Sequence, residues 1–269
     1  ERMSAFWRGT MAVSIKSARE IELMREAGKR LAHVHQELEA MIAPGISTWE
    51  IDAKGEKLIR DCGCIPNFLH YNGYPASICV SVNDEVVHGI PRKDRYLKEG
   101  DIVSLDAGLI YKGYHSDAAR THAVGKVSTE AQKLMDVTKQ SFFEGIKMAK
   151  EGQHLHDISR AIEEYVTPYG YGIVRDLVGH GIGTALHEDP QIPNYAQKRR
   201  GVRLQAGMTL AIEPMINAGT WQVRFLRDGW TVVTKDGSLS AHYENTILVT
   251  DGEPEILTLY YGCLLYTSP

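Results

Sequence analysis

The chain has 269 residues, 43% of them hydrophobic, and a formal net charge of −4. Such a composition buries a sizeable core without disulfides, and its mild acidity gives no electrostatic reason for nucleic-acid or membrane binding. No apolar run approaches the roughly 20 residues that span a bilayer. The four cysteines, Cys62, Cys64, Cys79 and Cys263, form neither a paired zinc motif nor a disulfide framework, which suits a reducing cytoplasm.

The two ends differ from the rest. Met11-Ala12-Val13 reads as a natural start and Glu255 to Leu259 as a last strand, while Cys263 to Ser268 resembles translated adaptor DNA. We therefore expect one domain over residues 11–259, with 1–10 and 260–269 as non-native or disordered ends.

In chain order, a capping box from Ser17 to Glu20 opens a helix. Its inward stripe is Ile21, Met24, Gly28, Leu31, His35, Leu38 and Met41. Pro44-Gly45 stops it, and a second box, Ser47 to Glu50, opens a shorter helix that ends at Gly63. Residues 78–87, 102–105, 109–111 and 119–124 alternate as strands. The plan then repeats. A box is expected from Thr129 to Gln132, then a helix with Leu134, Val137, Ser141, Gly145 and Met148 inward, then a shorter helix with Ile158, Ile162 and Val166. Strands return at 208–212, 223–225 and 243–249.

The repeat has one constant offset of 107 positions. It relates Met41 to Met148, Gly45 to Gly152, Ile51 to Ile158, Gly63 to Gly170 and Gly100 to Gly207. It also relates Asp106 to Glu213, each six residues after its glycine and each read as closing an apolar strand. A gap-free register of this kind indicates an internal duplication. Two helix–helix–sheet halves would pack about a pseudo-twofold axis as an α+β fold.

Asp106 and Glu213 would then converge on one cleft. Asp117 and Glu244, read as lying at strand starts, are candidates to join them. Four carboxylates in one site raise each other's pKa and need cations to remain ionised. Oxygen-rich ligation suits Mg²⁺, Mn²⁺, Fe²⁺ or Co²⁺, and an imidazole moves the preference toward transition metals, Zn²⁺ included. His180, in Gly179-His180-Gly181-Ile182-Gly183, is the candidate imidazole. Taken alone, His180 and His88 each also fit an ordinary polar loop residue. His187-Glu188-Asp189-Pro190 is not H-E-x-x-H, because Gln191 stands where the second histidine would be, so a zincin helix is excluded.

These motifs together resemble type I methionine aminopeptidases of the pita-bread metallopeptidase family. The resemblance runs from about Ser14 to about Thr258. It is carried by Asn83 to Pro91, Asp106 with Asp117, Gly179 to Gly183 with His187, Ile212-Glu213-Pro214-Met215 and Tyr243-Glu244-Asn245-Thr246. It implies a pita-bread fold and two divalent metal ions held by Asp106, Asp117, His180, Glu213 and Glu244. It implies that His88 and His187 contact the substrate and that Glu213 shuttles a proton. The implied reaction is removal of the initiator methionine from nascent polypeptides by water activated between two metals, with a small second residue favoured. By the same resemblance Tyr71, Tyr74, Cys79 and Trp230 line the methionine pocket, with Phe68 and Leu186 as further candidates, Phe68 being equally readable as core. A cytoplasmic monomer meeting nascent chains, with a transient ribosome contact, completes the expectation.

Two residues depart from the family pattern. His242 stands where Gln is common, and Leu186 stands where an aromatic residue is common. Rival readings are an X-prolyl aminopeptidase or prolidase of the same fold, a binding protein that has lost catalysis, and a thiol or serine hydrolase using Cys79 or Ser104. The prolyl relatives usually carry a long extra N-terminal domain. The stretch from Met11 to His88 has room only for the first half of the duplicated core.

Overall fold

The computed structural model describes residues 12–260. The expectations for 1–10, for 261–269 and for Met11 and Cys263 lie outside the described residues.

Helix α1 (Ala18–Ala40) begins at Ser17, whose Oγ accepts from Glu20 N at 3.3 Å while Glu20 Oε1 accepts from Ser17 N at 3.1 Å. The same reciprocal box opens α2 (Thr48–Asp61) at Ser47 and Glu50. Each box satisfies two of the backbone donors that a helix start leaves unpaired. After α2 come β1 (Ile65–Pro66), β2 (Ile78–Val82), β3 (Glu85–Val87), β4 (Ile102–Tyr111) and β5 (Tyr114–Ala123). In the second half α3 (Thr129–Ile146) and α4 (Leu155–Val166) are followed by β6 (Gly172–Ile173), β7 (Gly179–Gly181), β8 (Glu188–Ile192), β9 (Thr209–Ile212) and β10 (Met215–Asn217). The chain closes with β11 (Val223–Phe225), β12 (Val232–Thr234), β13 (Ser240–His242), β14 (Asn245–Leu248) and β15 (Glu255–Ile256).

Several boundaries differ from the sequence expectation. The cap of α3 is Ser128, whose Oγ accepts from Ala131 N at 3.1 Å, and Thr129 is the first helical residue. A reciprocal box cannot form there, since the residue three on from Ser128 is an alanine. Residues 78–87 divide at Asn83, which has φ +56°, so the run is two strands. Asp106 does not end a strand. It sits inside the ten-residue β4, with Cys79 of β2 on one side and Ala119 of β5 on the other. Asp117 likewise lies within β5, and Glu244 falls between β13 and β14.

The duplication is visible in the architecture. Helices α2 and α4 start at Thr48 and Leu155, β1 and β6 at Ile65 and Gly172, and β4 and β9 at Ile102 and Thr209, all at the offset seen in the sequence. Gly100 and Gly207, which turn the chain into β4 and β9, have φ of +92° and +95°, a left-handed conformation that favours glycine. Strand β4 pairs with β5 along one edge and with β1 and β2 along the other. Strand β9 lies between β14 and β7, within the order β15-β14-β9-β7-β8. The two sheets meet at Ala119 and Glu244, whose backbones exchange hydrogen bonds of 3.2 and 3.0 Å.

Each half has its own apolar core. Leu31, Leu38, Ile51 and Ile59 of α1 and α2 pack on Val80, Val103 and Leu105, and Leu134, Phe142, Ile158 and Ile162 of α3 and α4 pack on Leu210, Ile212 and Ile247. Among the described residues no helix is long and apolar enough to cross a membrane.

Helix α1 packs tightly on the segment after β15 at Gly28, where a Cβ would stand 2.2 Å from the carbonyl oxygen of Leu257. Gly28→Ala is therefore expected to destabilise the protein by about 1–3 kcal/mol through overpacking, although alanine is the better helix former. Urea unfolding of the two proteins checks this, and an unchanged or raised midpoint would refute it.

Candidate metal centre and substrate cleft

All five donor candidates project into one cleft between the two sheets. Asp106 and Asp117 come from neighbouring strands, β4 and β5, where Asp117 faces Gly108 across the ladder. Glu213 occupies the break between β9 and β10, and Glu244 the break between β13 and β14. Thr246 Oγ1 ties the two sheets together, donating to Asp117 O at 2.8 Å and accepting from Asp117 N at 3.1 Å.

His180 is carried on β7, squeezed between β8 and β9. A Cβ on Gly179 would lie 2.4 Å from Ala211 O, and one on Gly181 would lie 2.3 Å from Asp189 O. The flanking glycines thus let three strands approach closely enough to bury the imidazole, which is 2% exposed. His180 Nδ1 donates to Gly181 O at 2.8 Å, so Nε2 keeps its lone pair toward the carboxylates. That nitrogen is 3.5 Å from Asp117 Oδ2 and 3.5 Å from Glu213 Oε1.

The electrostatics of this arrangement are unfavourable for bare side chains. Burial, reinforced by the Asp117 charge, holds the Asp106 carboxyl well above the usual carboxylate range. Burial moves Asp117 to about 7. Glu213 and Glu244 are pushed well up by burial and by the neighbouring acids. Burial lowers His180 to about 4, so the imidazole is neutral. Asp106 Oδ1, Asp117 Oδ1 and both Glu244 oxygens are buried without a hydrogen-bond donor. Cation-free burial of such groups is costly, and a cation reverses the sign of the problem.

Ligand atoms around one ion with bonds of about 2.1 Å lie about 3.0–4.2 Å apart, and the two His180 Nε2 contacts of 3.5 Å fall in that range. Two groups of three donors have atoms all within 4.8 Å of one another, Asp117–His180–Glu244 and Asp106–His242–Glu244. The donor set therefore fits divalent cations.

A cavity of about 410 Å³ opens beside these groups, walled by Phe68, Cys79, His88, His187 and Met215 among others. His187 lies next to His180, with ring centroids 4.3 Å apart, and its Nδ1 is 2.8 Å from the Tyr71 hydroxyl. His88 has φ +60° at the end of β3. Burial lowers His88 to about 3 and His187 well below its ordinary value. Phe68, Tyr74, Cys79 and Leu186 form one buried apolar cluster, against which Tyr71 and Trp230 pack. Tyr74 meets Trp230 edge-on at 5.3 Å and donates to Gly89 O at 3.0 Å, buried behind the cavity wall. Phe68, readable from the sequence as plain core, is both part of this cluster and a wall of the cavity.

Sequence reasoning missed other wall residues. Met215 sits two residues after Glu213, and that motif could have nominated it. Arg175, Asp176, Tyr195 and Gln197 lie outside the regular elements, and no periodicity or motif marks them.

The Metallopeptidase family M24 profile matches residues 22–251. The chain belongs to that family. It is 54% identical to a methionine aminopeptidase of Clostridium acetobutylicum over 92% of this chain and 99% of that one. The crystal structure of a methionine aminopeptidase from Thermotoga maritima superposes with a TM-score of 0.90 at 47% identity, over 92% of this chain and all of that one. An Xaa-Pro dipeptidase from Bacillus anthracis superposes at 0.72 with 26% identity, and there the match covers 95% of this chain but 62% of the dipeptidase. The pita-bread architecture expected from the sequence is thus the observed one.

The crowding of acids makes a prediction for the metal-free protein. Because Asp106 has a raised folded-state pKa, the wild type loses stability as pH climbs from the unfolded value of about 4. Asp106→Asn removes that loss. In chelator, the variant should be more stable than wild type at pH 8, with a smaller gap at pH 5. Urea midpoints at the two pH values decide it; a variant less stable at pH 8 would contradict the electrostatic account.

Proposed function

We propose that this chain is a metalloaminopeptidase that removes N-terminal methionine from nascent polypeptides, using two divalent cations. The observation that carries the proposal is a buried set of mutually repelling carboxylates with one neutral imidazole, beside an apolar, aromatic cluster. Its close relatives, named methionine aminopeptidases, match over nearly their whole length. In this reading Asp106, Asp117, His180, Glu213 and Glu244 hold the cations. The mixed oxygen and nitrogen donors favour Mn²⁺, Fe²⁺, Co²⁺ or Zn²⁺ over Mg²⁺. When bound, divalent cations polarise the scissile carbonyl and lower the pKa of water.

The remaining work falls to the protein's own groups. Glu213, partly exposed to the cleft, is the carboxylate that takes a proton from water and passes it to the leaving nitrogen. Neutral His187, oriented by Tyr71, donates to the developing oxyanion. His88, on its left-handed turn, orients the substrate backbone or the departing amine. The cluster of Phe68, Tyr71, Tyr74, Cys79, Leu186 and Trp230 takes the methionine side chain, where a thioether gains from aromatic edges. With Leu186 in place of an aromatic residue, part of that wall is aliphatic. The walls beyond the scissile bond favour a small second residue. The catalytic unit includes at least the matched residues 22–251. The same reading has a monomer working in the cytoplasm, in transient contact with ribosomes.

An X-prolyl enzyme of this fold is the competing function, and identity of 26% to the dipeptidase against 54% to a methionine aminopeptidase disfavours it. Hydrolysis of Met-Ala-Ser should stop in chelator and return with Mn²⁺ or Co²⁺, while Ala-Pro-Ala stays intact. Turnover that resists chelation, or preference for Ala-Pro-Ala, would refute the assignment. His187→Ala should lower kcat about 100-fold or more with metal content unchanged, the usual cost of losing one oxyanion donor. A normal kcat in that variant would remove His187 from the chemistry.

A further inference from the structure

His242 stands against the acids but lies outside the proposed ligand set. It ends β13, is 1% exposed, and directs Nε2 into the acids, 3.3 Å from Glu213 Oε2 and 4.0 Å from Glu244 Oε2. Neither ring nitrogen has hydrogen-bond geometry to any partner. An orphaned imidazole this deep is expensive unless something else occupies its lone pair.

The two donor groups also have the same make-up. Each contains one aspartate and one histidine, Asp117 with His180 and Asp106 with His242, and Glu244 is common to both. Each imidazole brings a nitrogen within 4.8 Å of a Glu244 oxygen.

We propose that His242 is a sixth metal donor, supplying an imidazole nitrogen to the cation held by Asp106 and Glu244. The inference rests on the two-cation reading above and deepens it. Each cation would then have its own imidazole. The second position would no longer be an all-oxygen site, the kind that suits Mg²⁺ or Mn²⁺, and would prefer Co²⁺ or Zn²⁺. A glutamine at this position offers only a weaker amide oxygen or a hydrogen bond, so the preference is a property of chains with histidine here.

The test is metal binding to the full-length chain, stripped with chelator and titrated with Co²⁺ by calorimetry and visible absorption. Wild type should show two binding steps. In His242→Gln one step should weaken about tenfold or more, with its ligand-field bands altered, while the other step stays unchanged. With Mg²⁺ the two proteins should differ far less. In ¹⁵N-histidine-labelled wild type loaded with Co²⁺, two imidazole N–H signals should carry the large contact shifts of coordinated histidines, beyond the smaller through-space shifts of neighbours such as His187. That measurement needs no variant and so survives a His242→Gln protein that fails to fold. A single contact-shifted imidazole, or identical affinities and spectra in wild type and His242→Gln, would place His242 outside the coordination shell. Failure of the underlying reading looks different: wild type itself would bind fewer than two Co²⁺ ions, and Asp106→Asn and His180→Ala would leave binding as it was.

Discussion

Like charges forced together in a water-poor cleft organise this molecule. Asp106 and Asp117 are held by adjacent strands of one ladder and cannot move apart without breaking it. Glu244 is pinned by a two-way backbone bridge to Ala119, and Glu213 is fixed between two paired strands. Ladder hydrogen bonds and apolar packing on both sides of the cleft overcome the repulsion in the folded chain. Burial and mutual repulsion raise the pKa values of these carboxylates, and a divalent cation bound among them would relieve that cost. Cation binding at these side chains would therefore be linked to the stability of the fold.

The duplicated plan explains how so many acids reach one place. Two similar helix–helix–sheet halves back onto the cleft, each with its own core, and each delivers one acid from an equivalent strand. Divergence between the halves then supplies the rest. The second half alone contributes the glycine-flanked His180 and the loop carrying His187. The first half contributes Phe68, Tyr71, Tyr74 and Cys79 to the apolar cluster beside the cleft. Symmetry brings the acids together, and asymmetry shapes what surrounds them.

The loop that bears His187 is secured on both sides. Tyr71 from the first half reaches its ring at 2.8 Å. The next residue, Glu188, is 2% exposed and accepts from Lys16 Nζ at 2.8 Å and from Ser14 Oγ at 3.1 Å. The segment ahead of α1 thus anchors a loop more than 170 positions away in sequence. A buried pair of this kind contributes less to stability than to fixing one arrangement. Here the arrangement it fixes sets His187 beside His180.

Local signals in the sequence were enough for the helices, their caps at Ser17 and Ser47, and the strand cores, because these depend on periodicity and on side chains within three residues of one another. The offset of 107 positions exposed the duplication, since repeated residues survive without any contact being known. The resemblance supplied the five donors and the two histidines as a list. The sequence could not reveal that Asp106 lies inside a long strand, because the pairing that extends β4 to Tyr111 comes from β1 and β5. It could not give Arg175 or Tyr195 a place in the cleft wall, since coil residues reach a site only by tertiary packing. Nor could it separate Phe68 as core from Phe68 as wall, for the residue is both. His242 shows the division most clearly. In the sequence it is a single departure from a pattern. Only the meeting of β13 with the ends of β9 and β14 sets its imidazole among three carboxylates, where an unpartnered lone pair acquires chemical meaning.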